Sequence, residues 1–312
     1  MAKRGATSAL LCCQRTYGGK LLAYTEPSVS VKTVFLEDAI YKIGVLERFP
    51  ELVHGISTRL APGGGDWNLS AKRGTPEHPP SAHAALANRR KLASRLGIPL
   101  ASMVGCQQVH GNSVAVVGSE DAGSGMLPGV PALSGCDAMV TSTPGIYLLV
   151  LSADCPPVFF YDPVRHAVGL AHSGWKGTVG RVSANVVRAM HANFGCEPAN
   201  IVAAVGPGIG GCCYSVRDDV VRAVEQAFPD AWRPVGQSSP LLGRRDSVVW
   251  FDIPQAIYRT LLDAGISAAN ISVEGVCTAH NLHVFYSHRG EAGQCGLFGA
   301  VIGMRPHSPT HE

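Results

Sequence analysis

Short runs of β-branched and aliphatic residues alternate along this chain with longer segments in which apolar residues recur every fourth position. Short apolar runs bounded by turn residues are typical of buried strands. The strands predicted in this way span residues 114–117, 146–151, 167–171, 201–205, 248–251 and 284–286. The fully apolar run at 146–151 favours a central strand that is covered on both faces.

Three helices are predicted from stripes of apolar residues. The first begins near Thr178 and carries an apolar residue at every fourth position from 182 to 194. The second opens with Ser215 and Asp218, which have the spacing of a capping box. The third follows Asp252 and ends at Gly265. Strands mixed with helices indicate an α/β fold built in layers.

The loops do not divide the chain into separate domains. Segments rich in Gly, Pro and Ser occur at 61–81, 121–135 and 234–247, but apolar segments of the same character resume on both sides. We expect one catalytic domain over residues 31–304, a poorly ordered extension at 1–30 and a tail at 305–312. Residues 1–25 contain four basic and no acidic residues, a weak resemblance to an organelle transit peptide. A flexible start is the favoured interpretation.

The composition, 46% hydrophobic and 16% charged, is that of a globular protein. A net charge of +3 without a basic stripe argues against a nucleic-acid partner. The longest apolar run is far shorter than the roughly 20 residues that cross a bilayer, so no membrane partner is expected. Ten cysteines without a convincing signal peptide favour a cytoplasmic protein with free or metal-bound thiols. We expect a small-molecule substrate, and the sequence does not indicate an oligomeric state.

Three short segments each place a residue of metal-ligand type beside a strand end. They are QQVHG (107–111), SADCPP (152–157) and AHSGWKGT (171–178), with His110, Cys155 and His172 as the ligand-type residues. Cys155 and His172 can meet if the strands before them are neighbours. Taken singly, such residues are more often structural than functional. The paired short spacings of structural zinc sites are absent.

Together with HGISTR (54–59), GPGI (206–209), CY (213–214) and FYSHR (285–289), these segments resemble the laccase-domain family over roughly residues 50–304. This family is also called multicopper polyphenol oxidase-like, peptidoglycan editing factor or zinc-type purine nucleoside phosphorylase. The resemblance implies an α/β/α sandwich around a central mixed β-sheet, with catalytic zinc on His110, Cys155 and His172. It also implies a pentosyltransferase that cleaves adenosine, inosine and methylthioadenosine with phosphate, and that deaminates adenosine.

Phosphorolysis requires cations and backbone N–H groups that hold phosphate, such as the N-terminus of the helix after Thr178. The predicted substrate-binding residues are Arg59, Lys176, His288 and Arg289. Lys176 stands where the family usually has arginine, so a point charge replaces a planar fork. The glycines at 206–211 fit either a phosphate loop or close backbone packing. Asp154 fits either a proton carrier or a turn residue.

Three alternatives remain open at this point. Copper is the less favoured metal, because none of the twelve histidines forms a His-x-His pair that would suggest a multicopper cluster. A Cys–His hydrolase or deamidase would use Cys155 as nucleophile and His172 as base, and the fold resembles the catalytic domain of cytotoxic necrotizing factors. A binding protein that keeps the fold without catalysis is the third.

Overall fold

The structure of the chain, a computed structural model, describes residues 6–13, 29–36, 39–235 and 239–306. The four basic residues behind the transit-peptide hypothesis lie outside the described residues, as does most of the tail predicted at 305–312. Within the predicted extension, strand β1 (Ala6–Cys13) pairs antiparallel with β2 (Val29–Leu36). The domain boundaries therefore stay a prediction.

Fourteen further strands and five α-helices follow in the described part of the chain. The strands are β3 (Ile40–Tyr41), β4 (Leu52–Ser57), β5 (Met103–Gly105), β6 (Val114–Val116), β7 (Ala138–Thr141), β8 (Tyr147–Ser152), β9 (Pro157–Asp162), β10 (Ala167–His172), β11 (Val202–Val205), β12 (Ser215–Val216), β13 (Leu242–Arg245), β14 (Val248–Phe251), β15 (Ile271–Val273) and β16 (Phe298–Met304). The helices are α1 (Ala82–Leu96), α2 (Trp175–Val179), α3 (Val182–Phe194), α4 (Asp218–Ala227) and α5 (Ile253–Asp263).

Two mixed β-sheets lie face to face at the centre of the molecule. One has six strands in the order β15-β11-β9-β10-β7-β6, and the other has five in the order β3-β4-β16-β8-β5. Side chains from both sheets share one buried cluster, in which Phe159 and Leu170 of the first sheet meet Leu148 and Ile302 of the second. Burying a side chain of this kind stabilises the fold by about 1.5–3 kcal/mol. The interface between the sheets is therefore a main source of stability.

Helices cover the outer faces of both sheets. Helices α3 and α5 pack on the six-stranded sheet, and α1 packs on the five-stranded sheet. The predicted mixed α/β class is confirmed, and the central layer consists of two sheets instead of one. A smaller sheet of three strands, in the order β12-β14-β13, lies beside α4 and α5. It belongs to the same hydrophobic cluster as the six-stranded sheet.

Several predicted boundaries are wrong for local physical reasons. The helix expected near Thr178 is broken between α2 and α3, because Arg181 has a left-handed φ of 60°. Ser215 lies in β12, and Arg217 precedes α4 without any side-chain cap. Residues 284–286 form no strand. By contrast, α5 follows Asp252 as predicted, and the Asp252 side chain accepts the Gln255 N–H at its start.

No helix among the described residues is long and apolar enough to span a bilayer.

Candidate metal centre

His110, Cys155 and His172 come together in the structure as the sequence predicts. Their ligand atoms all lie within 4.8 Å of one another. The two imidazole rings meet edge to face, with centroids 5.0 Å apart and planes at 77°. His172 is buried, whereas His110 is exposed. Three donors that converge from distant parts of the chain form a candidate metal centre with an open side.

The route by which Cys155 and His172 meet differs from the expected one. Cys155 follows β8 in the five-stranded sheet, whereas His172 ends β10 in the six-stranded sheet. Residues 153–156 carry the chain from one sheet to the other, and Pro157 at the start of β9 pairs with His172. The site therefore lies where the chain crosses between the two layers.

Gly174 allows the close approach of these groups. A Cβ atom at this position would lie 2.8 Å from Cys155 Sγ and 3.3 Å from His110 Cδ2. The first distance is shorter than a non-bonded contact allows, so only glycine fits without moving the ligands. Gly174 of the AHSGWKGT segment is thus a steric requirement of the site.

Asp137, which the sequence analysis missed, organises two of the three ligands. Its carboxylate lies 2.8 Å from His172 Nδ1 and accepts the backbone N–H groups of Val109, His110 and Gly111 at 3.0, 3.0 and 2.7 Å. Because a carboxylate accepts hydrogen bonds, His172 donates from Nδ1 and keeps Nε2 for a ligand. The contacts to residues 109–111 hold the bend in which His110 has a φ of 59°.

Cys155 and His172 shift each other's pKa in the protein without metal. Burial raises the pKa of Cys155, but the charge of His172 and hydrogen bonds from both histidines outweigh it and lower the pKa to about 6. Burial lowers the pKa of His172, but Cys155 and Asp137 outweigh this effect and raise it to about 9. A thiolate beside an imidazolium is therefore the favoured pair at neutral pH.

The donor set fits a borderline metal ion. Two imidazole nitrogens and a thiolate suit zinc, and they also suit copper. The hydrogen bond from His172 to Asp137 is the outer contact that metal-bound histidines usually make. His110, Cys155 and His172 can therefore hold a metal ion of this kind.

The candidate centre opens into a cavity of about 930 Å³. Its lining includes apolar and aromatic side chains, among them Trp175, Tyr214 and Ile209. It also includes cationic side chains, among them Lys72, Arg73 and Arg289. The combination of flat apolar surface, positive charge and a metal-binding cluster suits a small anionic or phosphate-dependent substrate.

Two of the four predicted substrate-binding residues reach this cavity. His288 and Arg289 line it, and Arg289 lies over the Tyr214 ring while donating to Ser215. Lys176 is exposed and lies over the Trp175 ring, outside the lining. Lys72 and Arg73, in the loop predicted at 61–81, are cavity residues that sequence reasoning missed.

Arg59 does not line the cavity. Its guanidinium donates to the Leu282 carbonyl at 2.7 Å and to Glu291 at 3.0 Å, and it stacks on the Tyr286 ring. The other carboxylate oxygen of Glu291 accepts the Ser287 N–H. Arg59 therefore braces the segment that carries His288 and Arg289.

Asp154, which lines the cavity, also holds this segment. Its carboxylate accepts Thr278 Oγ and Ser287 Oγ, each at 2.6 Å, and the Arg289 N–H at 2.6 Å. Asp154 is buried and has a left-handed φ of 89°, and its carboxylate is fully engaged by these three donors. The contacts support the turn role of Asp154 rather than the role of proton carrier.

The glycine run at 206–211 is explained by close packing. A Cβ atom at Gly208 would lie 2.5 Å from Pro156, and one at Gly206 would lie 3.0 Å from Pro157. These glycines let the strand end of β11 approach the crossing segment that carries Cys155.

The fold and the site define a mixed α/β protein in which a His, Cys, His candidate metal centre lines a cavity with several cationic side chains. Residues 67–305 match the family described as multi-copper polyphenol oxidoreductase laccase, and the chain belongs to this family. It is 36% identical over 220 residues to purine nucleoside phosphorylase YlmD of Bacillus subtilis, covering 70% of this chain and 76% of the relative. It is 29% identical over 264 residues to human purine nucleoside phosphorylase LACC1, covering 81% and 55%.

Solved structures show the same fold. YlmD from Geobacillus stearothermophilus superposes with a TM-score of 0.74 at 31% identity, covering 83% of this chain and 93% of that one. YfiH of Bacillus licheniformis gives 0.75 at 29% identity, covering 86% and 97%. The names of the curated relatives support an enzyme that acts on small molecules.

Proposed function

We propose that this protein is a zinc-dependent purine nucleoside phosphorylase that cleaves adenosine, inosine and methylthioadenosine with phosphate. The observation that carries the proposal is the convergence of His110, Cys155 and His172 on a cavity with cations on its wall. The names of the relatives point to the same reaction. A zinc ion on these residues would supply a Lewis acid inside the cavity.

The cations of the cavity wall would hold phosphate. Lys72 and Arg73 follow a turn in which Ser70 Oγ accepts both of their backbone N–H groups. Arg289 is fixed by Asp154 at its backbone and by Ser215 at its side chain. Fixed positive charges bind phosphate and stabilise charge that develops as it attacks.

The aromatic wall suits the rest of the nucleoside. Trp175 and Tyr214 offer flat surfaces on which a purine can stack. In the reaction a phosphate oxygen bonds to C1′ as the bond from C1′ to N9 breaks. The bonding electrons leave with the base, which then takes up a proton. The products are a free purine and the sugar 1-phosphate, which is ribose 1-phosphate for adenosine and inosine and 5-methylthioribose 1-phosphate for methylthioadenosine.

The proposal is tested by supplying or withholding phosphate. Purified protein should convert inosine to hypoxanthine and ribose 1-phosphate only when phosphate is present, as measured by chromatography of the products. Adenosine should yield adenine in the same way, and the predicted deamination should release ammonia from it. Equal turnover of inosine without phosphate would contradict phosphorolysis and identify water as the acceptor.

The contacts of Asp137 favour one second candidate, a Cys–His hydrolase. Cys155, His172 and Asp137 form a chain of nucleophile, base and orienting carboxylate, and the pKa of Cys155 is lowered to about 6. His110 supports the metal reading over this one. A hydrolase needs no third ligand, whereas His110 is held in a strained backbone conformation beside the other two.

A further inference from the structure

A second cluster of metal-ligand side chains lies outside the cavity. Cys213 Sγ lies 3.1 Å from His280 Nε2, and the ligand atoms of Cys213, Cys277 and His280 all lie within 4.8 Å of one another. None of the three lines the cavity described above. Cys277 is fully buried, and the other two are partly buried. The cluster is therefore more enclosed than the first one.

Two short rigid elements present these ligands. Cys213 lies in a turn in which its N–H donates to the Gly210 carbonyl at 3.0 Å. Cys277 immediately precedes the 3-10 helix Thr278–His280, and two residues separate it from His280 in the sequence. Both side chains therefore come from one turn. This short Cys-x-x-His spacing was overlooked in the sequence, where paired spacings were expected to be absent.

The separations suit a tetrahedral thiolate site. Zinc bonds of about 2.3 Å to sulfur and about 2.0 Å to nitrogen place neighbouring ligand atoms about 3.5 Å apart. The Gly210 N–H lies 3.4 Å from Cys277 Sγ and donates to it. Such a donor stabilises a thiolate, which is the form that binds metal. Two thiolates and one neutral imidazole would balance the charge of a divalent ion.

Cys212 is the fourth member of this group, with its ligand atom also within 4.8 Å of the other three. It is disulfide-bonded, unlike the free or metal-bound state expected for the thiols of this chain. Its Sγ lies 3.9 Å from His280 Nδ1. Because the Cys212 sulfur is engaged in a disulfide, the protein ligands are Cys213, Cys277 and His280. The fourth coordination position of the metal belongs to none of these three residues.

We propose that Cys213, Cys277 and His280 form a second metal site, which binds zinc and has a structural role. Zinc here would tie the turn at 210–213 to the helix Thr278–His280. Thr278 donates to Asp154, the neighbour of Cys155. Tyr214, the residue after Cys213 in the sequence, lines the cavity. The second ion would thus brace the segments on both sides of the first site without touching the substrate.

Metal analysis of matched variants separates the two sites. After zinc loading and dialysis, the wild type should hold about two zinc ions per chain, and Cys155→Ala should keep about one. Cys213→Ala/Cys277→Ala should also keep about one, and the variant that combines all three changes should keep none. Cys295→Ala, which removes a buried free thiol elsewhere, should match the wild type.

Cobalt gives an independent readout. In Cys155→Ala, cobalt should produce an intense thiolate-to-cobalt absorption, which His280→Gln should remove or strongly weaken in that background. Zinc should also raise the thermal unfolding midpoint of Cys155→Ala but not of Cys155→Ala/His280→Gln. If the double cysteine variant does not fold, the single substitution Cys213→Ala at the partly buried ligand carries the same comparison.

Two results would overturn the second site. One is a Cys155→Ala protein that holds no zinc and shows no thiolate-to-cobalt absorption. The other is a Cys213–Cys277 disulfide, found by mass spectrometry of purified protein, that persists while the chain holds as much metal as it can bind. Neither depends on phosphorolysis, so failure of the proposed reaction leaves this test intact.

Discussion

The two His and Cys clusters of this chain use similar side chains in opposite surroundings. The cluster of His110, Cys155 and His172 opens into a large cavity and has an exposed histidine. The cluster of Cys213, Cys277 and His280 lies outside that cavity and has two sulfurs. Catalytic zinc sites keep one position open, whereas structural sites are closed and richer in thiolate. The open cavity and the lower thiolate content therefore both favour the first cluster as the catalytic one.

The largest effects are expected from removing ligands of the first cluster. His110→Ala, Cys155→Ala and His172→Ala should each lose one metal ion per chain and reduce turnover more than the roughly 100-fold that loss of an outer contact costs. The measurements are metal content and the rate of inosine cleavage. On the hydrolase hypothesis His110→Ala would be mild, because that chemistry uses Cys155 and His172 alone. A His110→Ala protein that has lost this ion and is still active would therefore defeat the metal assignment.

Alkylation of Cys155 gives the same comparison a pH dependence. In metal-free protein the pKa of about 6 keeps the thiol deprotonated above that pH, so iodoacetamide should react fast at neutral pH and slow as the pH falls below 6. Bound zinc engages the thiolate and should slow the reaction throughout this range. Peptide mapping identifies the modified residue. Fast alkylation that zinc leaves unchanged would favour the nucleophile.

An intermediate effect is expected at Asp137. Asp137→Asn keeps the size of the side chain but removes the charge that orients His172 and the backbone of residues 109–111. Metal affinity should fall by about 10- to 100-fold, measured by competition with a chelator. Asp263→Asn, at an exposed ion pair with Arg181, is the control and should leave the affinity unchanged. Unaltered affinity in Asp137→Asn would show that the carboxylate does not support the metal.

The sequence predicted the members of the first cluster but not how they meet. His110 and Cys155 follow strands and His172 ends one, and periodicity located the strands of Cys155 and His172. It could not show that β8 and β10 lie in different sheets, because the pairing partners are set by long-range contacts. Asp137 was missed because a single aspartate at the end of a glycine-rich loop has no spacing that marks it.

The same limit explains the errors among the cations. Arg59 and Lys176 were selected because they stand near motif residues in sequence, yet neither lines the cavity. Lys72 and Arg73 lie in a loop without periodicity, and only the packing of that loop against the cavity reveals them. Helix α1 was missed for a related reason, since its buried face consists of a few alanines and leucines among many polar residues.

The smallest effect is expected at the cations themselves, and it compares the loop at 72–73 with Arg59. Lys72→Ala/Arg73→Ala should raise the KM for phosphate about threefold to tenfold, because exposed charges contribute modestly to anion binding. Arg59→Ala should raise that KM less than the double substitution does, because Arg59 acts only through the segment that it braces, and it should lower the thermal unfolding midpoint by a few degrees through lost contacts to Glu291, Leu282 and Tyr286. Steady-state kinetics at varied phosphate and a thermal melt measure both. The opposite pattern, with a raised KM in Arg59→Ala alone, would contradict binding of phosphate by Lys72 and Arg73.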